Sequence, residues 1–247
     1  MSDTVLMTAT VQPNTNIFVS QSDPEMRMRQ YQEAIAAMRT GISKSVDLVI
    51  VETSGADPSS LTALLSPAGR TATRVINFDA TESDPERGKG RVEADALRHA
   101  IRIVRDQKGA LATVHKVTGR LIVANAARIF AALPGPIVRV RSTLDRTFVD
   151  TRVISARAQE WESVVLRDSA FIDESSGVYL EHTVAASLAH AAALKQIRLE
   201  RFPARPRIWG QSGSTGGTYS GGPNSAVSGA WGWIERQLAE VASRKQV

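Results

Sequence analysis

The sequence predicts an α/β domain built on a mostly parallel β-sheet flanked by helices, with a helical C-terminal part. Strand-length apolar runs alternate with helical periodicities over roughly the first 115 residues, the pattern of repeated βα units. Each run ends in turn chemistry. At 247 residues, 43% hydrophobic and 22% charged, the chain has the length and composition to bury a sizeable core.

The elements follow in order. Residues 16–20 read as a short first strand behind a flexible segment 1–15. Asp23 and Pro24 supply an N-cap and a first-turn proline for a helix whose Met28, Tyr31, Ile35 and Met38 recur at helical spacing, and Gly41 stops it. Residues 47–51 form an apolar run ending at Glu52-Thr53-Ser54-Gly55, and a third strand spans 74–78. Gly88-Lys89-Gly90 opens a helix with Leu97, Ile101 and Val104 on one face, and 111–114 reads as the fourth strand. A basic turn, Lys116-Val117-Thr118-Gly119-Arg120, then leads to a helix expected over 121–133. Residues 137–141 are a further strand, and 148–152 read as a strand end before a helix containing Trp161 and Val165. The strongest helix of the second half is expected over 178–197, with Glu181 and His182 near its amino end. Residues 16–209 are thus read as one α/β unit, 210–230 as a Gly/Ser-rich mobile loop and 231–247 as an amphipathic helix carrying Trp231, Ile234, Leu238 and Val241 on one stripe.

Composition narrows the function. The formal charge of +5 and pI near 9.9 favour anionic partners. Arginine is scattered rather than concentrated, and aromatics make up 5%, so nucleic acid is not the expected partner. The absence of cysteine excludes disulfides, thiolate metal sites and cysteine nucleophiles. No signal peptide or run of apolar residues long enough to span a bilayer is evident, so a cytoplasmic location is expected.

In parallel sheets, ligands gather beyond the carboxyl ends of the strands, where Glu52, the Gly88 turn and Lys116 are expected. Lys89 and the backbone amides of its glycine-flanked turn suit a phosphate at a helix amino end, and an exposed turn explains the same residues. The turn has the spacing of neither a Walker A loop nor a dinucleotide fingerprint. Lys116 and Arg120, around Thr118, can stabilise a leaving diphosphate, or form a basic surface turn. Asp150 and Arg152 form either a site pair or a plain salt bridge. Glu181 and His182, as adjacent helical residues, point about 100° apart, so either one of them serves a small site as base or the pair caps the helix or lies on the surface. Ser212, Gly213 and Ser214 suit a closing lid or a linker. The histidines show no metal-ligand spacing.

These motifs, in this order from Asn16 to Tyr219, resemble bacterial nucleotide-sugar glycosyltransferases of the GT-A type, particularly a surface-polysaccharide group. The resemblance rests on Arg27, Arg29 and Tyr31, the Glu52 turn, Gly88-Lys89-Gly90 with Glu93, and the Lys116–Arg120 turn with Asn125. Asp150-Thr151-Arg152, Glu181-His182 and the loop from Gly210 complete it. It implies a GT-A-like, Rossmann-like fold, with residues 16–209 as its catalytic domain. Glu52 would lie near the nucleoside, Lys89, Lys116, Thr118, Arg120 and Arg152 near the donor, and Asp150, Glu181 or His182 would be catalytic. The donor would be a nucleotide sugar and the acceptor a saccharide or other hydroxyl. Where this family usually carries an Asp-x-Asp metal motif the chain has Lys-Val-Thr-Gly-Arg, so the expectation is transfer without a required cofactor, with Mg or Mn as the alternative. Spacing alone does not separate inversion, the favoured course, from retention. The C-terminal helix allows a homodimer or peripheral membrane contact. A noncatalytic nucleotide-binding or scaffolding module is the competing reading.

Overall fold

The computed structural model describes residues 3–13, 22–211 and 217–219. The expected strand at 16–20, the lid residues Ser212, Gly213 and Ser214, and the helix at 231–247 lie outside the described residues.

The sheet begins earlier than expected. Strand β1, Thr4–Ala9, is buried along its whole length, so the segment read as a flexible N-terminus is a central strand. Its sequence, Thr-Val-Leu-Met-Thr-Ala, is the near-continuous apolar run that a strand covered on both faces requires. The helix Pro24–Gly41 follows, capped by the Asp23 side chain, which accepts from the Glu25 N–H. Strands β2, Asp47–Glu52, and β3, Thr73–Asn77, precede the helix Lys89–Lys108 and strand β4, Thr113–Thr118. The expected face of that helix, Leu97, Ile101 and Val104, is buried.

Beyond β4 the structure departs from the sequence reading. Instead of a helix over 121–133 there is a short strand β5, Ile122–Val123, and a single helical turn, Ala126–Ile129. Long-range pairing overrides helical propensity there: β5 pairs with β9, Ile208–Gln211, and the Ala124 N–H donates to the Arg207 carbonyl at 2.9 Å. Strand β6, Ile137–Ser142, is followed by β7, Val149–Arg157, which starts rather than ends near Asp150. The helix Leu180–Ala193 and strand β8, Arg198–Glu200, follow, and β10, Thr218–Tyr219, pairs antiparallel with β9.

The seven-stranded sheet has the order β3-β2-β1-β4-β7-β6-β8. Only β7 runs against its neighbours β4 and β6; the other pairings are parallel. The α/β class with a mostly parallel sheet flanked by helices is therefore the one observed. Side chains alternate across each strand, so β1 sends Leu6 into one core, with Leu97, Trp161 and Leu188, and Val5 and Met7 into another, with Tyr31, Ile35 and Met38. Among the described residues no helix is long and apolar enough to cross a membrane.

Candidate functional site

A cleft of about 820 Å³ opens at the carboxyl ends of β1, β2 and β4. Strand β7 contributes because it is antiparallel: its first residues, Asp150 to Arg152, lie at the same edge as the end of β4, with Val153 paired to Val117. The sequence reading placed these residues at the correct edge for the wrong reason, since they begin a strand there.

Of the expected donor-binding residues, Lys89, Thr118, Arg120 and Arg152 line the cleft, as do Asp150 and Glu181. Arg27, Tyr31 and Glu93, which the resemblance named without a role, join them; Glu93 follows Lys89 by four residues on one helical face.

Glu52 does not face the cleft. It is 0% exposed, and its carboxylate accepts from the backbone N–H groups of Ser54 at 2.8 Å, Ala56 at 2.9 Å and Val11 at 3.3 Å. A carboxylate at a strand end followed by Thr-Ser-Gly has its own turn to bind, and here it organises that turn.

Lys116 is also displaced from its expected role. It belongs to β4 itself, not to the turn after it, and is 1% exposed. Its ammonium donates to Glu93 Oε1 at 2.8 Å, the Thr151 carbonyl at 2.6 Å and Thr118 Oγ1 at 3.1 Å, which satisfies its three donors. Thr151 Oγ1 in turn donates to Glu181 Oε1 at 2.8 Å, so one polar chain runs beneath the floor from Glu93 to Glu181. Burial pushes the Glu93 carboxyl up, but the Lys116 charge and hydrogen bond, the Thr8 hydroxyl and the Lys89 charge outweigh it and hold the group below its ordinary value.

Arg120, one strand end away, is 8% exposed, yet the described residues offer it no salt bridge. Its neighbours are Gln30 Oε1 at 3.0 Å and the Tyr31 phenol. Burial depresses its pKa, and the Arg27 cation adds to that while Tyr31 opposes it. Gly119 makes this corner: its N–H donates to the Thr8 carbonyl at 3.0 Å, and a Cβ there would lie 2.0 Å from that oxygen.

On the opposite wall, Arg152 grips Asp150 through one guanidinium edge, Nε and Nη2 donating at 2.7 Å each to the two carboxylate oxygens, and stacks its cationic head 4.7 Å from the Tyr219 ring centroid. Burial raises the Asp150 pKa, but the Arg152 bonds and the charges of Arg152 and Arg141 leave it lowered. Such a carboxylate is a poor proton acceptor. His182 turns away from the cleft: its Nδ1 accepts from the Tyr179 N–H at 3.2 Å, and it lines a second, shallower cavity with Phe171 and His190. Glu181 is the one member of the expected catalytic set that combines cleft exposure with no guanidinium clamp among the described residues.

The Gly88 turn also differs in detail. The Gly90 N–H donates to Glu174 Oε1 at 2.9 Å, so a carboxylate of the chain already occupies the amino end of the Lys89–Lys108 helix. Lys89 lines the cleft, and its charge acts on the Glu93 carboxyl there.

Among the described residues the donor set of the cleft does not match a divalent metal. The end of β4 carries Thr118, Gly119 and Arg120, Glu93 and Asp150 are engaged by cations, and no group of three or more His, Cys, Asp or Glu among the described residues is arranged to hold a metal.

No protein-family profile matches the sequence, and no curated protein matches it. Solved structures do. A protein of Desulfovibrio desulfuricans G20 described as a nucleotide-diphospho-sugar transferase is similar at 12% identity, with a TM-score of 0.49 over 81% of this chain and 80% of that one. Mouse xyloside xylosyltransferase 1 is similar at 10% identity and a TM-score of 0.47, over 81% and 85% of the two chains. The galactosyltransferase LgtC, in complex with donor and acceptor sugar analogues, is similar at 9% identity and a TM-score of 0.47, over 75% and 70%.

Proposed function

We propose that the protein is a glycosyltransferase with a GT-A-like fold, moving a sugar from a nucleotide-sugar donor to a hydroxyl acceptor without a required metal. The observation that carries this reading is Arg120, a buried guanidinium in a cleft wall that the described residues leave without a carboxylate. Burying a charge is costly unless an opposite charge or hydrogen bonds offset it, and a donor diphosphate supplies that charge.

In the proposed reaction the acceptor hydroxyl oxygen bonds to the anomeric carbon as the bond from that carbon to the diphosphate oxygen breaks. The hydroxyl proton passes to Glu181, and the charge left on the departing phosphate falls beside Arg120 and Lys89. Asp150, held ionised by Arg152, orients rather than accepts the proton. A single displacement of this kind inverts the anomeric configuration.

A thermal-shift screen against UDP-, GDP-, CMP- and dTDP-sugars, with and without chelator, tests the reading. One donor should raise the melting temperature with or without chelator, and Arg120→Met should abolish the shift. Turnover with an acceptor, with inverted product, should follow. A shift that needs added Mg or Mn contradicts the metal-free reading; binding without turnover of any acceptor or water selects the noncatalytic module.

A further inference from the structure

The glycines around Lys89 serve a group that the proposed reaction does not use. Glu174 is 6% exposed and sits behind the turn that launches the Lys89–Lys108 helix. A Cβ at Gly88 would lie 2.5 Å from the Glu174 carboxyl carbon, and one at Gly90 would lie 2.9 Å from Oε1. Gly88 also holds φ at +106°, where a side chain is strained. Both positions are therefore bare because a carboxylate is packed against them. Oε1 takes the Gly90 N–H, while Oε2 is buried with no hydrogen-bond partner among the described residues.

The carboxylate is held from the other side as well. Glu174 begins the single helical turn Glu174–Ser176, whose N–H groups at Ser175 and Ser176 donate to Asp173 Oδ1 at 3.1 and 3.3 Å. Asp173 and Val178 close the loop by exchanging two backbone hydrogen bonds of 2.9 Å. The loop is thus a short brace with the carboxylate at its tip. Burial pushes the Glu174 carboxyl above its ordinary value, opposed by the Gly90 N–H and by the backbone N–H and charge of Lys89, while Glu181 adds to the rise.

We propose that Glu174 is the positioning residue for Lys89: a built-in carboxylate that fills the amino end of the helix and fixes the direction in which the lysine enters the cleft. An anion is favoured at that end by the helix dipole and the unsatisfied N–H groups. With the chain's own carboxylate there, a ligand phosphate meets the Lys89 side chain and not the backbone amides. That consequence rests on the reading of the cleft given above; the placement of Lys89 does not.

Competitive acylation with acetic anhydride, read by peptide mass spectrometry, tests the placement with the exposed Lys44 as internal reference. Glu174→Ala should change the Lys89 rate relative to Lys44 by about fivefold, the scale of coupling between residues in contact. Glu174→Gln, which keeps an oxygen for the Gly90 N–H, should restore the wild-type ratio. Equal ratios in wild type, Glu174→Ala and Glu174→Gln overturn the proposal. Where Glu174→Ala does not fold, Gly88→Ala displaces the same carboxylate from the opposite side and is read by the same ratio.

A cycle with inorganic pyrophosphate adds the functional arm. Glu174→Ala should weaken its binding about fivefold in the wild-type background and leave it unchanged in Lys89→Ala. Additive losses overturn the proposal. If wild type binds neither pyrophosphate nor any nucleotide, the reading of the cleft fails, while the acylation ratio still decides the role of Glu174.

Discussion

Lys116 and Arg120 are both basic, lie four residues apart and are 1% and 8% exposed, but the molecule treats them in opposite ways. Beneath the cleft floor, Lys116 has a carboxylate and two further oxygens for its three N–H donors. In the cleft wall, the described residues give Arg120 an amide oxygen and a phenol. A buried cation whose partners are all internal is part of the scaffold. One whose partners are neutral, beside an open cavity, is built for something that arrives. The difference lies in how the donors are satisfied, since charge and depth are nearly the same.

The largest effect expected from this contrast is on folding. Lys116→Met leaves the Glu93 carboxylate beside the core without its cation and should lower the free energy of unfolding by about 3 kcal/mol, the lower end of the range for breaking a buried pair because Glu93 keeps some contact with the cleft. Urea denaturation measures it. Adding Glu93→Gln to Lys116→Met should recover a large part of the loss, because no lone charge remains. If Lys116→Met is as stable as wild type and loses only ligand binding, the two cations play the same role and the contrast breaks.

Arg120→Met should do the reverse. Replacing a guanidinium that has only neutral partners by an apolar chain of similar reach should leave stability unchanged or raise it by about 1 kcal/mol. The same substitution should weaken nucleoside diphosphate binding at least about thirtyfold, as for loss of one partner of a desolvated charge pair. Calorimetric titration beside the denaturation curve separates the two quantities.

The sequence made Arg120 and Lys116 look alike because it shows residue types and order but not the register of pairing. Apolar runs marked β2, β3 and β6 closely, and the caps around Pro24 and the face of Leu97, Ile101 and Val104 marked two helices, since these signals are local. Strand β4 was read four residues too early at its carboxyl end, at Val114 rather than Thr118, which moved Lys116 from the sheet into a turn. Strand β1 was missed although Pro13 and Asn14 supply a turn signal behind it, because a single short apolar run carries no strand period. Glu174 left no trace in the sequence, because its partner Gly90 lies 84 residues away and the contact exists only after the brace has packed.

A smaller effect is expected at the corner that separates the two cations. Gly119→Ala would put a methyl group 2.0 Å from the Thr8 carbonyl oxygen, and backbone cannot swing aside as a side chain can. The corner should shift at a cost of about 2 kcal/mol in stability. It should also move Arg120 against the cleft, so pyrophosphate affinity falls while the Lys116–Glu93 pair survives. Loss of stability with unchanged affinity would mean that the corner yields without carrying Arg120 with it.

The smallest effect is a pH profile, and it divides the cations again. The folded-state pKa of Glu93 lies below its ordinary value despite burial, through Lys116, Thr8 and Lys89, and that of Asp150 does likewise through Arg152 and Arg141. A depressed carboxyl contributes stability that is fully present above its unfolded pKa, about 4.3 for Glu and 3.9 for Asp, and is lost as pH falls through the lower folded value. Stability should therefore be level from neutral pH to about pH 5 and fall below that. Arg120 contributes no such slope there, because a guanidinium stays protonated throughout this range. Glu93→Gln should flatten part of the acid limb, and Arg120→Met should leave its shape unchanged. An acid limb that is the same in Glu93→Gln as in wild type would remove the Lys116 pair from the acid sensitivity and assign it to Asp150 and the carboxylates elsewhere.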